Sequence, residues 1–288
     1  MRARTSGDVP AAGVACVDVR RSKSARALSV CAVARPNAMY TARADRSLEN
    51  TLEWAIDRMM QKGFAVKSSV TLSVDPSLTI MGYAKKEGRS HQIVISEWAL
   101  DSEMLGGLIL HELAHIYYTE MGAHSHDGKL LEEMLRGLKE REGLRAKETE
   151  LLIDAFNHLQ NILVDDVVFA VMDERELKTT EWFFAEWVSD RPSGDPMFDA
   201  ALLTRNAFAV ASLKRRGLLE QNSDLHYRSK EFISALGQDA KEDYDWVEGF
   251  LENSKPDWDR KQFLASVGEY FDRILALMRS SARLDDLR

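Results

Sequence analysis

The chain has 288 residues, of which 45% are hydrophobic and 29% charged, and its formal net charge is −8 at pH 7. This composition is ordinary for a globular protein, and the acidic balance argues against nucleic-acid binding as the main function. No apolar run reaches about 18 residues, so neither a membrane-spanning helix nor a membrane partner is expected. The two cysteines, Cys16 and Cys31, lie near the start, so we expect no disulfide framework and no cysteine-based zinc site.

Residues 1–45 differ from the rest of the chain, because they are rich in Ala, Val, Ser and Arg and contain no Glu. One interpretation is a transit peptide, which would direct the protein to an organelle. The other is an extension ahead of a true start at Met39, which would leave the protein in the cytoplasm. Asp8 and Asp18 interrupt the positive charge and favour the second interpretation. In either case we predict that 1–45 is a disordered or targeting extension outside the fold.

The next stretch predicts a helix followed by a small sheet. Apolar residues recur at helical spacing over 46–63, and Gly63 is a typical C-terminal stop. Three β-rich runs follow at 64–73, 79–83 and 92–95, separated by a turn at 75–77 and by the polar segment 84–91. The last run, 92–96, lies nearest to the following helix in sequence. It is therefore our candidate for an exposed sheet edge, with an ordinary core strand as the alternative.

Residues 108–120 read LILHELAHIYYTE and form the most informative stretch of the chain. His111 and His115 are four residues apart, so on a helix both imidazoles point to the same side and can reach one metal ion. Glu112 lies about 100° round the helix, where it can meet a water coordinated by that metal. This is the HExxH arrangement of two ligands and a general base. The alternative is a buried helix whose histidines are satisfied by hydrogen bonds.

A second helical pattern, over 149–172, carries a polar stripe on an otherwise apolar helix. His158, Asn161 and Asp165 share this stripe, and a polar stripe on an apolar helix needs a partner. We expect Asp165 to supply the third metal ligand that the HExxH pair lacks, with Asn161 or His158 orienting a ligand or the water. Asp166 is the alternative ligand. Further helices are predicted over 129–145, 181–190, 197–217, 229–236, 242–252 and 258–283.

Several side chains near the motif are candidates for the donor that stabilises developing negative charge in a transition state. The loop after Gly122 contains His124 and His126, which would contact metal or substrate or would simply be solvated. The sequence does not choose among the candidate donors Tyr117, Tyr118, His124 and His158.

HELAH on a helix that follows a helix and a small sheet resembles the zincin metallopeptidases. The later Asn161–Asp165 segment is similar to the N-x-x-x-D helix of a branch of predicted HExxH metallopeptidase domains, some encoded beside von Willebrand A-type proteins. In that pattern the aspartate is taken as the third metal ligand, which corresponds to Asp165. The chain departs from the metzincin pattern, because Tyr118 and Met121 stand where HExxHxxGxxH has its glycine and third histidine.

The resemblance implies an α+β fold: a zincin-like domain over 46–175, with about three strands and the active-site helix, followed by a mainly helical C-terminal region over 176–288. It implies a zinc metallopeptidase in which Glu112 takes a proton from water that attacks a peptide bond of a protein substrate. Two alternatives remain. One is a catalytically silent or latent zincin-like binding module, with the C-terminal helices as its partner surface, and the other is a metal-dependent amidohydrolase acting on a non-peptide substrate.

Overall fold

Helices predominate in the computed structural model, which describes residues 41–102, 104–220 and 223–285. Within these residues the protein is α+β, with a helical C-terminal region as predicted. The strands are β1 (Val70–Asp75), β2 (Gly82–Glu87) and β3 (Ser90–Ser96). The helices are α1 (Thr41–Gln61), α2 (Leu105–Glu120), α3 (Gly128–Glu142), α4 (Ala146–Val171), α5 (Glu174–Trp187), α6 (Pro196–Lys214), α7 (Asp224–Leu236), α8 (Gln238–Glu252) and α9 (Arg260–Asp285).

The three strands form one mixed sheet in the order β1-β3-β2. Strand β3 pairs in parallel with β1 and antiparallel with β2. The expectation that 92–96 forms the sheet edge was therefore wrong, because this segment is the central strand and its residues from Ile93 to Ser96 are buried. Position in the chain does not fix position in a sheet. The edge that faces the next helix is β2.

Strand β2 extends further than the sequence predicted, because the polar segment 84–91 forms most of a hairpin. Glu87 pairs with Ser90 across a two-residue turn, and Gly88 has a φ of 64°, which favours glycine. Lys85 and Lys86 are compatible with a strand because β2 lies at the side of the sheet, where long charged side chains reach solvent.

Strand β2 packs against α2, and Gly82 lies at this contact. A Cβ atom added to Gly82 would be 3.1 Å from the carbonyl oxygen of Val94 and 3.6 Å from Leu108. The distance to Val94, within the sheet, is tighter than an ordinary contact, whereas the distance to Leu108 of α2 is an ordinary van der Waals contact. The backbone of β2 is thereby brought against the helix that carries the HExxH motif.

Helix α2 is buried on most sides, as its apolar sequence predicted, and Leu110, Leu113 and Ile116 are almost fully enclosed. Helix α4 packs across it, and α6 packs on the far side of α4. Buried apolar residues from both predicted regions, 46–175 and 176–288, belong to one hydrophobic cluster. The division between the two regions stays a prediction.

In the described part of the chain the first helix begins at Thr41, so it includes the last five residues of the predicted extension 1–45. The expectations about a transit peptide and about Met39 concern residues 1–40, which lie outside the described part of the chain. None of the helices in the described part has the length and apolar character needed to cross a lipid bilayer.

Candidate active site

The two histidines of the HExxH motif face each other on the inner side of α2. Nε2 of His111 lies 3.2 Å from Nε2 of His115. Two nitrogen ligands of a tetrahedral zinc, each about 2.0–2.1 Å from the metal, are themselves about 3.3 Å apart. The spacing of the two Nε2 atoms therefore matches that of a pair of zinc ligands.

The opposite nitrogen of each ring is held by a neighbouring side chain. Nδ1 of His111 lies 3.5 Å from Oδ1 of Asp165, whose Oδ2 accepts a 2.7 Å hydrogen bond from the Ser212 hydroxyl. Nδ1 of His115 lies 3.0 Å from Nε2 of His126. Metal-binding histidines usually have such a partner on the nitrogen that does not bind the metal.

Asn161 completes the contacts of the two rings. Its side chain lies close enough to both His111 and His115 to favour the charged form of each ring and so oppose the effect of burial on their pKa values. The structure thus brings two members of the predicted polar stripe, Asn161 and Asp165, against the HExxH helix. Asp165 does not lie where the two Nε2 atoms meet, however, but on the Nδ1 side of His111. Its position suits the orientation of that ring rather than direct metal binding.

Glu112 lies at the free edge of β2. The backbone N–H of Ser96 bonds to the carbonyl of Met81, so by the alternation of an antiparallel ladder the backbone groups of Gly82, Ala84 and Lys86 point away from β3. The carboxylate of Glu112 accepts a hydrogen bond from the outward N–H of Ala84. The acid of the motif is therefore anchored beside a strand edge that no other described strand covers.

Burial dominates the electrostatics of these groups. It raises the pKa of Glu112 to about 7, although the charge of His111 and the hydrogen bond from Ala84 oppose the shift. Burial together with the charges of His111 and His126 holds the pKa of His115 well below its usual value. For His111, burial disfavours the charged ring, but the hydrogen bond and charge of Asp165 outweigh it and raise the pKa.

His126 replaces His124 as the histidine that the loop brings to the site. The short 3-10 turn His124–His126 follows α2 and places the His126 ring on Tyr118, with centroids 5.2 Å apart and planes at 23°. Ser125 fixes the other side of the ring, with its hydroxyl 3.0 Å from Nδ1 of His126. The ring of His124 packs instead toward Phe263, at 6.0 Å. Sequence alone does not show which of two loop histidines, two residues apart, turns inward. The prediction of His124 was therefore made without a signal that distinguishes it from His126.

Tyr118 and His158 also lie elsewhere than expected. The hydroxyl of Tyr118 donates to the carbonyl of Leu163, so it is committed to the α4 backbone and is not a free transition-state donor. Burial and the charge of Asp166 raise the pKa of Tyr118 to about 12. The ring of His158 stacks on Phe208, with centroids 5.1 Å apart, and is not among the contacts of the two HExxH histidines.

Asp166, the alternative metal ligand, is instead an anchor between helices. Its carboxylate pairs with Arg215 and, at 3.0 Å, with Arg216. The Arg215 guanidinium also donates to the carbonyls of Leu251, Glu252 and Ser254, at the end of α8. Asp166 thus connects α4 with the ends of α6 and α8, and sequence alone could not reveal these arginine partners.

Replacing Asp166 with asparagine should destabilise the protein by about 2–3 kcal/mol, because largely buried, charge-assisted hydrogen bonds to Arg215 are lost. The free energy of unfolding in urea measures this effect. Asp245→Asn is the matched control, since that exposed Asp245–Lys241 pair should contribute less than about 1 kcal/mol. Equal destabilisation by both changes would contradict this role of Asp166.

Comparison with known families gives a match over most of the chain. A model described as a family of unknown function (DUF5781) matches residues 48–247. The chain belongs to the DUF5781 family. The comparison with curated proteins gave no match, and neither did the comparison with solved structures. The matched range of DUF5781 extends from α1 into α8 and contains every residue of the candidate site.

The site fits a zinc ion through two ligands. The Nε2 atoms of His111 and His115 have the required spacing, and both Nδ1 atoms are engaged elsewhere. Across the described residues, no group of three or more His, Cys, Asp or Glu side chains is arranged so that all of them could hold a metal ion. Among the described residues, the arrangement brings the Nε2 atoms of His111 and His115 together and places Asp165 and His126 beside their Nδ1 atoms.

Proposed function

We propose that this member of DUF5781 is a zinc-dependent peptidase of the zincin type. The observation that carries the proposal is the convergence of the Nε2 atoms of His111 and His115, with each opposite nitrogen held by a partner and Glu112 beside them at a sheet edge. A hydrogen-bonded pair of core histidines would need neither a neighbouring buried acid nor an open strand edge.

His111 and His115 would hold the zinc ion. Asp165, supported by Ser212, fixes the ring of His111, and His126 fixes the ring of His115. Zinc, when bound, supplies Lewis-acid chemistry that activates water and polarises a carbonyl group. Since both Nδ1 partners are themselves largely buried, the two rings are held in one orientation before the metal arrives.

Glu112 performs the proton transfers. It takes a proton from the attacking water and delivers it to the leaving amine as the peptide bond breaks. Its burial keeps the carboxylate basic enough for this task, and the hydrogen bond from Ala84 keeps it in place. The outward backbone groups of Gly82 and Lys86 offer an extended peptide the hydrogen bonds of an added strand, which would lay a scissile bond alongside Glu112.

The test is metal content together with cleavage. Purified full-length protein should contain about one zinc ion per chain, and it should hydrolyse an unfolded protein substrate. Removal of zinc with a chelator should abolish cleavage, and added zinc should restore it and raise the thermal midpoint, because a ligand that binds only the native state stabilises it. Protein that binds no stoichiometric zinc would overturn the proposal.

The same measurement separates the two alternatives. Stoichiometric zinc without cleavage of any unfolded protein would favour a silent binding module. Stoichiometric zinc with hydrolysis only of small non-peptide amides would favour an amidohydrolase. A protein partner that docks on the C-terminal helices remains a prediction, which this measurement does not address.

A further inference from the structure

Ser125, His126 and His115 form a hydrogen-bonded row that leads away from the proposed zinc site. Nε2 of His126 lies 3.0 Å from Nδ1 of His115, and Nδ1 of His126 lies 3.0 Å from the hydroxyl oxygen of Ser125. Both nitrogens of the His126 ring are therefore engaged, one by a histidine of the HExxH motif and the other by a hydroxyl group. The Ser125 side chain is buried, so bulk water does not compete for its hydroxyl group.

Helix α4 holds this row in place through two contacts. The side-chain amide of Gln160 donates a 2.6 Å hydrogen bond to the backbone carbonyl of Ser125. The ring of Tyr118, whose hydroxyl donates to the carbonyl of Leu163, stacks on the His126 ring. These contacts fix the backbone at Ser125 and the plane of the His126 ring. What they leave open is the direction in which the hydrogen bonds of the row run.

The direction of these hydrogen bonds decides whether His115 can bind a metal ion. A neutral imidazole carries one proton, so one ring nitrogen donates and the other accepts or binds metal. If the Ser125 hydroxyl donates, the neutral His126 ring donates in turn to Nδ1 of His115, whose own proton then occupies Nε2. If the Ser125 hydroxyl accepts, His126 accepts the Nδ1–H of His115, and Nε2 of His115 keeps a free electron pair.

We propose that Ser125 and His126 are positioning residues that select the protonated nitrogen of His115, an inference that rests on the proposed zinc site. In the zinc-bound protein, His115 donates its Nδ1–H to Nε2 of His126, and His126 donates its own Nδ1–H to the hydroxyl oxygen of Ser125. Each ring keeps one proton, so neither ring carries a charge. The loop after α2 thereby belongs to the zinc site although it supplies no ligand.

Two substitutions of His126 in the full-length protein separate this role from simple packing. His126→Phe keeps a ring that stacks on Tyr118 but has no acceptor for His115, so zinc affinity should fall about 10- to 100-fold. His126→Gln loses the ring but keeps a side-chain oxygen that can accept from His115, so the loss should be smaller. A role in packing alone predicts the opposite order. Zinc binding by the glutamine variant that is no tighter than that of the phenylalanine variant would overturn the proposal.

Ser125→Ala tests the far end of the row. Zinc affinity should fall about tenfold, because the Nδ1–H of His126 loses its acceptor in the zinc-bound protein and a buried donor is left without a partner. Ser234→Ala, on an exposed serine of α7, is the matched control and should leave zinc affinity unchanged. Equal zinc affinities of the two variants would contradict the role of Ser125.

A spectroscopic measurement on the unmodified protein does not depend on how well any variant folds. The NMR shifts of isotope-labelled histidine nitrogens show which ring nitrogen carries the proton, and zinc-supplied protein should carry it on Nδ1 of His126. A proton on Nε2 of His126 in the zinc-bound protein would overturn the proposal and leave the zinc site intact. Unmodified protein that binds no zinc would instead reject the proposed function, and this inference with it. Zinc binding with the expected His126 signals but without peptide cleavage would reject the peptidase function alone.

Discussion

Glu112→Gln should lower peptide hydrolysis by about 10²- to 10⁴-fold, the range that general acid–base catalysis contributes. Glutamine keeps the size of the side chain and an oxygen that can accept the hydrogen bond from Ala84, so the local fold should persist. It cannot take a proton from water at neutral pH. Because His111 and His115 are unchanged, zinc content should stay the same.

The measurement is the turnover of an unfolded protein substrate, with zinc determined on the same samples. Glu140→Gln is the matched control, since Glu140 is exposed on α3 and far along the chain from the motif. It should leave both turnover and zinc unchanged. If Glu112→Gln kept the turnover of the unmodified protein, Glu112 would not be the base, and the edge position beside β2 would have another purpose.

The parts of this site that depend on the periodicity of a single helix could be predicted from the sequence. Histidines four residues apart must share a helix face, and the stripe on α4 placed Asn161 and Asp165 on the face that meets them. Both inferences depend only on residues within one helix. The hydrophobic pattern likewise predicted three strands and the order of the helices, but β2 shares only residues 82–83 with the predicted run 79–83.

Features that depend on two distant segments were not predictable in the same way. Ser212 reaches Asp165 across 47 residues, and Arg215 reaches Asp166 across 49. Nothing near Asp165 or Asp166 in the sequence distinguishes the first as a neighbour of His111 from the second as an anchor for α6. The sheet order is a tertiary property as well, which is why β2 rather than β3 proved to be the edge beside Glu112.

His111→Ala should weaken zinc binding by about 10²- to 10³-fold, so that purified protein no longer retains the metal. In structural zinc sites with four protein ligands, a binding free energy of about 10–16 kcal/mol corresponds to about 2.5–4 kcal/mol per ligand. Asp165→Asn should have a smaller effect, about 10- to 100-fold, because the structure places this carboxylate on Nδ1 of His111 and a partner of that kind contributes less than a ligand.

Competition with a chelator of known zinc affinity gives the zinc dissociation constant of each variant, so that all of them can be compared directly. His124→Ala is the control, because the His124 ring packs toward Phe263 and should leave zinc affinity unchanged. The relative losses of zinc affinity in the three variants distinguish two roles for Asp165. A loss for Asp165→Asn as large as that for His111→Ala would show that Asp165 moves to bind the metal directly, as the resemblance to the N-x-x-x-D helix implied. A loss intermediate between those of His124→Ala and His111→Ala would show that it acts through the orientation of the His111 ring.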